Sequence, residues 1–358
     1  LFRPVRTALI RAYQYLIAKY DVDGFRIDTL KYVEPEFAQV FGNAIREYAL
    51  SLGKKNFFTF GEVYDGEEKI AHFIGRNALD PGDLTGVDAA LDFPLFFQLP
   101  AVVKGMLPPQ AVANVFERRK QILRGLISSH GDIGRYFVTF LDNHDLNQRF
   151  YYSDPANPQA FDDQVSMAVA CLFALQGIPC LYYGTEQGMH GSGSSPEAVR
   201  EALWGKPNAF SREHPFYQAV RQVSAIRENQ PALRYGRQYF RPISGNGAQF
   251  GMSTFAPGVL AFSRILGDDE VVVVANTDPR AGWQGHVLVD LALNPPFSTY
   301  EALYSNRRSV GDVQVEPVLH KGPGNVEIHH ADGGVSFGPV RMLPVSLQPS
   351  EVVILRRL

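Results

Sequence analysis

From Pro4 to about residue 230 the chain alternates between two hydrophobic rhythms. Apolar residues three and four apart predict amphipathic helices over Pro4–Tyr20, Pro35–Leu52 (closed by Gly53) and Phe161–Gln176. Shorter helical stretches are predicted over Glu67–Ile74 and around 94–104 and 109–128. Between them lie apolar runs that read as strands: Val22–Asp28, Asn56–Val63, Val87–Phe93, Tyr136–Asn143 and Ile178–Tyr183. Such alternation predicts a parallel sheet with crossover helices, open or closed into a barrel.

Near residue 235 the pattern changes. RYGRQYF, VLAFSRI, EVVVVAN, GHVLVDL, VSFG and EVVILRR are β-type runs divided by turn signals such as GNG, GDD, NTDPRAG and ADGG. The reading is an α/β domain over 1–234 followed by an antiparallel, all-β sandwich domain over 235–358.

A length of 358 residues suits two domains at about 100–200 residues each. The formal charge of −3 gives no reason to expect nucleic acid or an anionic membrane as partner. No apolar run approaches the ~20 residues of a membrane span. No feature points to a protein partner. Two cysteines, Cys171 and Cys180, are too few for a disulfide framework or a zinc site, and both sit in apolar runs, which predicts buried free thiols. The chain opens on Leu1 within what already reads as a helix, so it is expected to begin inside a domain, and its compartment is not readable from a leader segment.

In a parallel α/β sheet, chemistry collects at the C-terminal ends of the strands. Three predicted strands end in acids. In VDGFRID, alternation puts Arg26 and Asp28 on one face and Phe25 and Ile27 on the other. With Phe25 and Ile27 packed under helices, a buried Asp28 beside the Arg26 guanidinium is expected to stay ionised, as a carboxylate nucleophile must. In FFTFGEV, Glu62 shares a face with Phe58 and Phe60. An apolar floor beneath a carboxyl disfavours its ionised form, which suits a general acid. The third strand runs into Asp142, Asn143, His144 and Asp145, and parity does not decide which acid points inward once a turn begins. One carboxylate kept ionised and another kept protonated form the pair that glycoside hydrolysis requires.

DGFRID (23–28), GEVYDG (61–66), FLDNHD (140–145) and GIPCLYYGTEQG (177–188) together resemble the α-amylase family, glycoside hydrolase family 13, in the family's order. The resemblance implies the later part of a (β/α)8 barrel, about strands four to eight, followed by a β-sandwich. It implies a retaining enzyme that cleaves α-1,4-glucosidic bonds in starch-like glucans or maltooligosaccharides through a covalent glycosyl-enzyme intermediate. Asp28 would be the nucleophile, Glu62 the general acid/base and Asp145 the transition-state stabiliser. Arg26 would orient Asp28, and His144 would bind sugar hydroxyls. Lys31 would contact the leaving-group sugar and Tyr64 would stack on a sugar. In many amylases the lysine is followed by histidine; here Tyr32 follows Lys31, which departs from strict α-amylase specificity. The family's first three strands would precede Leu1. The chain by itself is accordingly expected to leave two unpaired barrel edges, to be poorly stable and to be inactive.

Three rival readings fit the residues less well. A phosphatase of the Asp-x-Asp-Gly type, with Asp21 as acceptor, needs an apolar strand just before that acid, whereas YLIAKY continues a helix. A two-metal site on Asn143-His144-Asp145 lacks further ligands in pattern. A non-catalytic relative would be expected to lose the three acids, and all are present. Within the enzyme class the alternative is an α-glucan transglycosylase. No cofactor or metal is called for; the acids of DPGDLTGVDAALD offer loop oxygens to calcium but without the EF-hand spacing. His329-His330 reads as a solvated turn, and no nucleotide-binding glycine pattern occurs.

Overall fold

A computed structural model describes residues 3–77, 84–128, 131–206, 209–322, 326–330 and 333–358. The chain forms two compact units: Leu1–Leu95 with Val115–Thr139 and Gly177–Cys180, and Phe96–Asn114 with Phe140–Gln176 and Leu181–Leu358. This division runs inside the 1–234 segment rather than along its end.

In the first unit five short strands, Gly24–Ile27, Phe58–Gly61, Ala89–Ala90, Val138–Thr139 and Ile178–Pro179, lie side by side in chain order, all parallel. The parallel bridge Leu91↔Val138 joins the third to the fourth. Parallel neighbours need crossovers, and helices supply them. Helices Arg3–Tyr20 and Pro35–Ser51 flank the first strand. Proline at the first helical position starts the second of these, because its missing N–H would have no intrahelical acceptor there. Phe37, Phe41, Ile45 and Ala49 recur every four residues and form its buried stripe, to which Ile17 and Phe57 add. Phe25 closes this cluster edge-on against Tyr13 and Phe57, with centroids 5.1 and 5.2 Å away. The expected alternation therefore holds: Phe25 faces the helices and Arg26 faces away.

The strands are shorter than the apolar runs predicted. NFFTFGEV pairs only over Phe58–Gly61, Tyr136–Asn143 only over Val138–Thr139, and Ile178–Tyr183 only over Ile178–Pro179. After Gly61 the ladder ends at the polar Glu62, whereas after Thr139 and Pro179 it ends while the chain is still apolar. The stretch around 94–104 is two helices, Phe93–Phe96 and Leu99–Val103, because Pro100 restarts the second.

In the second unit the described residues after 235 make a small three-stranded sheet (Gln249–Phe250, Glu327–His329 and Val335–Phe337) and two larger antiparallel sheets. One runs, in spatial order, Tyr300–Ser305, Val352–Arg357, Asp269–Asn276, Val259–Leu266 and Arg237–Phe240. The other runs Leu319–Lys321, Val340–Leu347, Trp283–Val289 and Ile243–Ser244. Alternate residues of both sheets, among them Val259, Ala261, Val272, Val274, Val287, Leu343 and Val353, meet in one core, as in a sandwich. The same unit contains helices Asp162–Ala174 and Pro215–Asn229. Arg264, fully buried on a sandwich strand, donates to the Ala174 and Gly236 carbonyls at 2.8 and 2.9 Å, the first at a helix C-terminus where a cation is favoured.

Cys171 is buried as expected, and burial pushes its thiol up to about 12. Cys180 is exposed, contrary to the expectation: it follows Ile178–Pro179, the end strand of the row among the described residues, and its N–H still donates to Thr139 O at 2.7 Å. His329 and His330 are solvent-exposed, bonded to Glu327 and Ser336 at 2.9 and 2.7 Å. Among the described residues no helix is long and apolar enough to cross a membrane.

Candidate active site

The first unit brings Arg26, Asp28 and Glu62 together. Arg26 Nη1 is ion-paired with Asp28 Oδ1, and its Nη2 lies 3.3 Å from Glu62 Oε2. One guanidinium thus joins the two carboxylates from adjacent strands, which its planar fork permits. The backbone fixes the second acid as well. Glu62 N donates to Ile27 O at 2.8 Å, and Lys31 N donates to Glu62 O at 3.2 Å. Thr29 adopts a left-handed conformation (φ 51°), and its N–H donates to Glu62 Oε2 at 3.0 Å. Such a backbone is uncommon for a β-branched residue.

Phe58 and Phe60 are stacked, 5.8 Å between centroids, on the strand that leads to Glu62. Beyond these rings the Glu62 carboxylate has the Thr29 N–H bond and the Arg26 ion pair as polar partners. Asp28 departs from expectation: its side chain is 65% exposed, whereas that of Glu62 is 16% exposed. Gly24–Ile27 is the end strand of the row, paired on one side only among the described residues, so an acid at its tip has a wall on one side.

Lys31 turns toward the loop after Glu62. Its Nζ donates to Tyr64 O at 2.9 Å and lies 3.1 Å from Asp65 Oδ2. The Gly66 N–H and then Lys31 hold the Asp65 carboxyl below the usual carboxylate range. The Tyr64 ring is exposed and meets Phe93 edge-on at 4.7 Å.

His144 and Asp145 belong to the second unit, on the loop after Val138–Thr139. Asp145 is gripped at both oxygens: Arg200 Nη2 donates to Oδ1 at 2.9 Å, and His144 Nε2 lies 3.2 Å from Oδ2. Arg200 Nε also donates to His144 O at 2.9 Å. Arg149 is buried, with its guanidinium 4.3 Å from the Tyr182 ring centroid and Nε donating to Glu201 at 3.1 Å. Two adjacent residues, Arg200 and Glu201, therefore engage one loop. Nothing in the sequence pointed to Arg200, which stands 55 residues from Asp145 with no motif around it.

Asp142, the other acid left open by parity, is buried and accepts from Phe150 N–H at 2.8 Å. Burial pushes its carboxyl up to about 6, against the Phe150 N–H, Arg149 and Lys104.

Of the acids weighed for calcium, Asp88 is paired with Arg46 at 2.9 Å and Asp92 with Arg119 at 2.5 Å. Asp80 and Asp83 lie outside the described residues. Among the described residues no cluster of three His, Cys, Asp or Glu side chains could hold a metal.

Residues 3–230 match the family model described as alpha amylase, catalytic domain. An alpha-amylase of Streptomyces lividans is 28% identical over 310 residues, covering 76% of this chain and 30% of the relative. A cyclomaltodextrin glucanotransferase of Geobacillus stearothermophilus is 26% identical over 315 residues, covering 86% of this chain and 38% of the relative. The chain thus spans about a third of the length of these curated relatives. The fold is similar to that of an alpha-amylase from Geobacillus thermoleovorans solved with acarbose (TM-score 0.66, 20% identity, all of this chain and 64% of that one).

Proposed function

This chain belongs to the α-amylase family, and from that premise we propose that it carries the catalytic acids of a retaining glycoside hydrolase. The substrates are starch-like α-glucans or maltooligosaccharides, and the bond cleaved is α-1,4-glucosidic. Its five parallel strands correspond to the fourth to eighth of the family's barrel. The observation that carries the reading is the Arg26 guanidinium joined to both Asp28 and Glu62. Relatives named for action on starch and cyclomaltodextrins support the substrate class.

In this mechanism an Asp28 oxygen attacks the anomeric carbon while Glu62 gives its proton to the glycosidic oxygen, so that the aglycone departs as an alcohol. The glycosyl ester on Asp28 is then opened by water, whose proton Glu62 takes, and two inversions leave the configuration retained. Asp145 stabilises the positive charge that builds on the sugar ring in each transition state. Arg26 orients the nucleophile, His144 holds sugar hydroxyls, and Lys31 fixes the Tyr64 backbone from which the aromatic ring presents itself to the leaving sugar.

A second reading is supported by one feature. Tyr32 and Tyr64 are both exposed and both neighbour Lys31, whose Nζ lies 6.0 Å from the Tyr32 ring centroid and donates to Tyr64 O. An acceptor sugar stacked there competes with water for the glycosyl ester, which turns hydrolysis into transglycosylation. The test is proton NMR of the anomers released from maltoheptaose by the complete protein in the first minutes. Early α-anomer supports retention, longer oligosaccharides identify transfer, and early β-anomer would refute the mechanism. Glu62→Gln is expected to abolish turnover.

A further inference from the structure

Asp142 is left without a role by the three-acid scheme, yet it is the most deeply buried acid of the FLDNHD motif, 3% exposed. It sits at the start of the loop that carries His144 and Asp145, and its Oδ2 accepts from the N–H of Phe150 at the loop's other end, 2.8 Å away. Lys104, at the C-terminus of helix Leu99–Val103, lies over the Phe150 ring at 4.7 Å. Farther along, the same loop is zipped to residues 191–201. Arg149 N donates to Gly191 O and Gly193 N to Asn147 O, each at 2.9 Å, with an antiparallel bridge Gln148↔Ser192. Asp145 is thus displayed by a loop sutured along one side and closed at its base by a single carboxylate.

We propose that Asp142 is a positioning residue that clasps the two ends of the 142–150 loop and so sets the placement of Asp145 and His144 against the sugar. This rests on the reading of Asp145 as the transition-state stabiliser. The clasp is strongest when Asp142 is ionised, because a charged acceptor binds the Phe150 N–H more tightly. The groups facing Asp142 are Lys104 from its helix, Arg149 from the loop itself and Tyr182 from the segment after Ile178–Pro179. With the carboxyl at about 6, the clasp loosens as pH falls through that value.

The experiment compares the complete protein with its Asp142→Asn, Lys104→Met and Asp145→Asn variants on maltoheptaose between pH 4.5 and 9, with thermal unfolding of each. Asp142→Asn is expected to lower kcat by about a hundredfold through misplacement of Asp145, with KM within about twofold, and to remove an acid limb near pH 6. Lys104→Met leaves the clasp in place and moves that limb upward in pH, which tests the proposal even where Asp142→Asn fails to fold. An unchanged kcat in Asp142→Asn, or a limb that Lys104→Met does not move, overturns the positioning role. Asp145→Asn separates the two layers: if it is inactive while Asp142→Asn is fully active, the clasp alone is wrong. If Asp145→Asn is fully active, the functional reading and the clasp fall together.

Discussion

Arg26 Nη2 lies 3.3 Å from Glu62 Oε2, although Arg26 stands two residues before Asp28 and was expected to serve that acid alone. The register explains the reach. Arg26 pairs directly with Phe60, so Glu62 is two residues farther along the neighbouring strand, level with Asp28. Strand alternation puts all three side chains on one face. The guanidinium fork can therefore serve both carboxylates and hold Asp28 and Glu62 in one frame.

Replacing the fork by a point charge is the sharpest check of that frame. Arg26→Lys in the complete protein is expected to lower kcat/KM by about a hundredfold or more, since one ammonium cannot hold two carboxylates in fixed geometry. The pair is partly exposed, so stability should change by no more than about 1 kcal/mol. Activity retained in Arg26→Lys would show that the bridge is incidental.

Gly61 is the residue that lets Glu62 sit where it does. A Cβ at position 61 would fall 2.1 Å from Leu30 Cδ2, and Leu30 follows Thr29, whose N–H binds Glu62. Gly61→Ala should therefore displace the turn, with a loss of about 1–3 kcal/mol and a drop in kcat. In a double-mutant cycle with Leu30→Ala, the two losses should be less than additive, because removing the leucine makes room for the methyl. Strict additivity would show that the two positions do not meet.

Helix periodicity was legible in the chain, and the helices Arg3–Tyr20, Pro35–Ser51 and Asp162–Ala174 lie within a residue or two of their predicted ends. Strand lengths were not, because an apolar run records burial and not pairing: Val138–Thr139 is two residues long inside a longer buried run. Arg26, Asp28 and Glu62 could be placed on a common face from period-two alternation. Asp142 and Asp145 could not be told apart by that rule, since both lie beyond the end of the ladder. Arg200 was invisible for a different reason. Its contact with Asp145 is made by two loops, and loops carry no hydrophobic period to align them.

Glu270 anchors the sandwich. It is fully buried and accepts from Arg241, Ser263, Asn294 and Tyr300 side chains at 2.7, 2.6, 2.7 and 3.2 Å. Glu270→Ala leaves the Arg241 guanidinium without its carboxylate and is expected to lose about 3–5 kcal/mol. Glu270→Gln keeps the shape and should lose less, about 1–3 kcal/mol. Denaturant midpoints of both variants check the order, and equal losses would mean that shape and not charge holds the network.

Asp142 makes a stability prediction whose sign differs from that of the usual paired acid. Its carboxyl is raised to about 6 in the folded protein, above the ordinary value of 3.8 that it regains on unfolding. Between those values the native state keeps a proton that the unfolded chain has lost, so stability contributed by this group declines as pH rises and is lost once pH passes about 6. Asparagine does not titrate. The difference in unfolding free energy between Asp142→Asn and the parent should therefore shift in favour of the variant from pH 4 to pH 7, by about 1–3 kcal/mol. Urea unfolding of both proteins at pH 4.5 and 7 measures that shift, and dependence on the difference cancels every other titrating group. A difference constant with pH would mean that Asp142 is hydrated in the folded state. The clasp on Phe150 would then lack the burial that gives it strength.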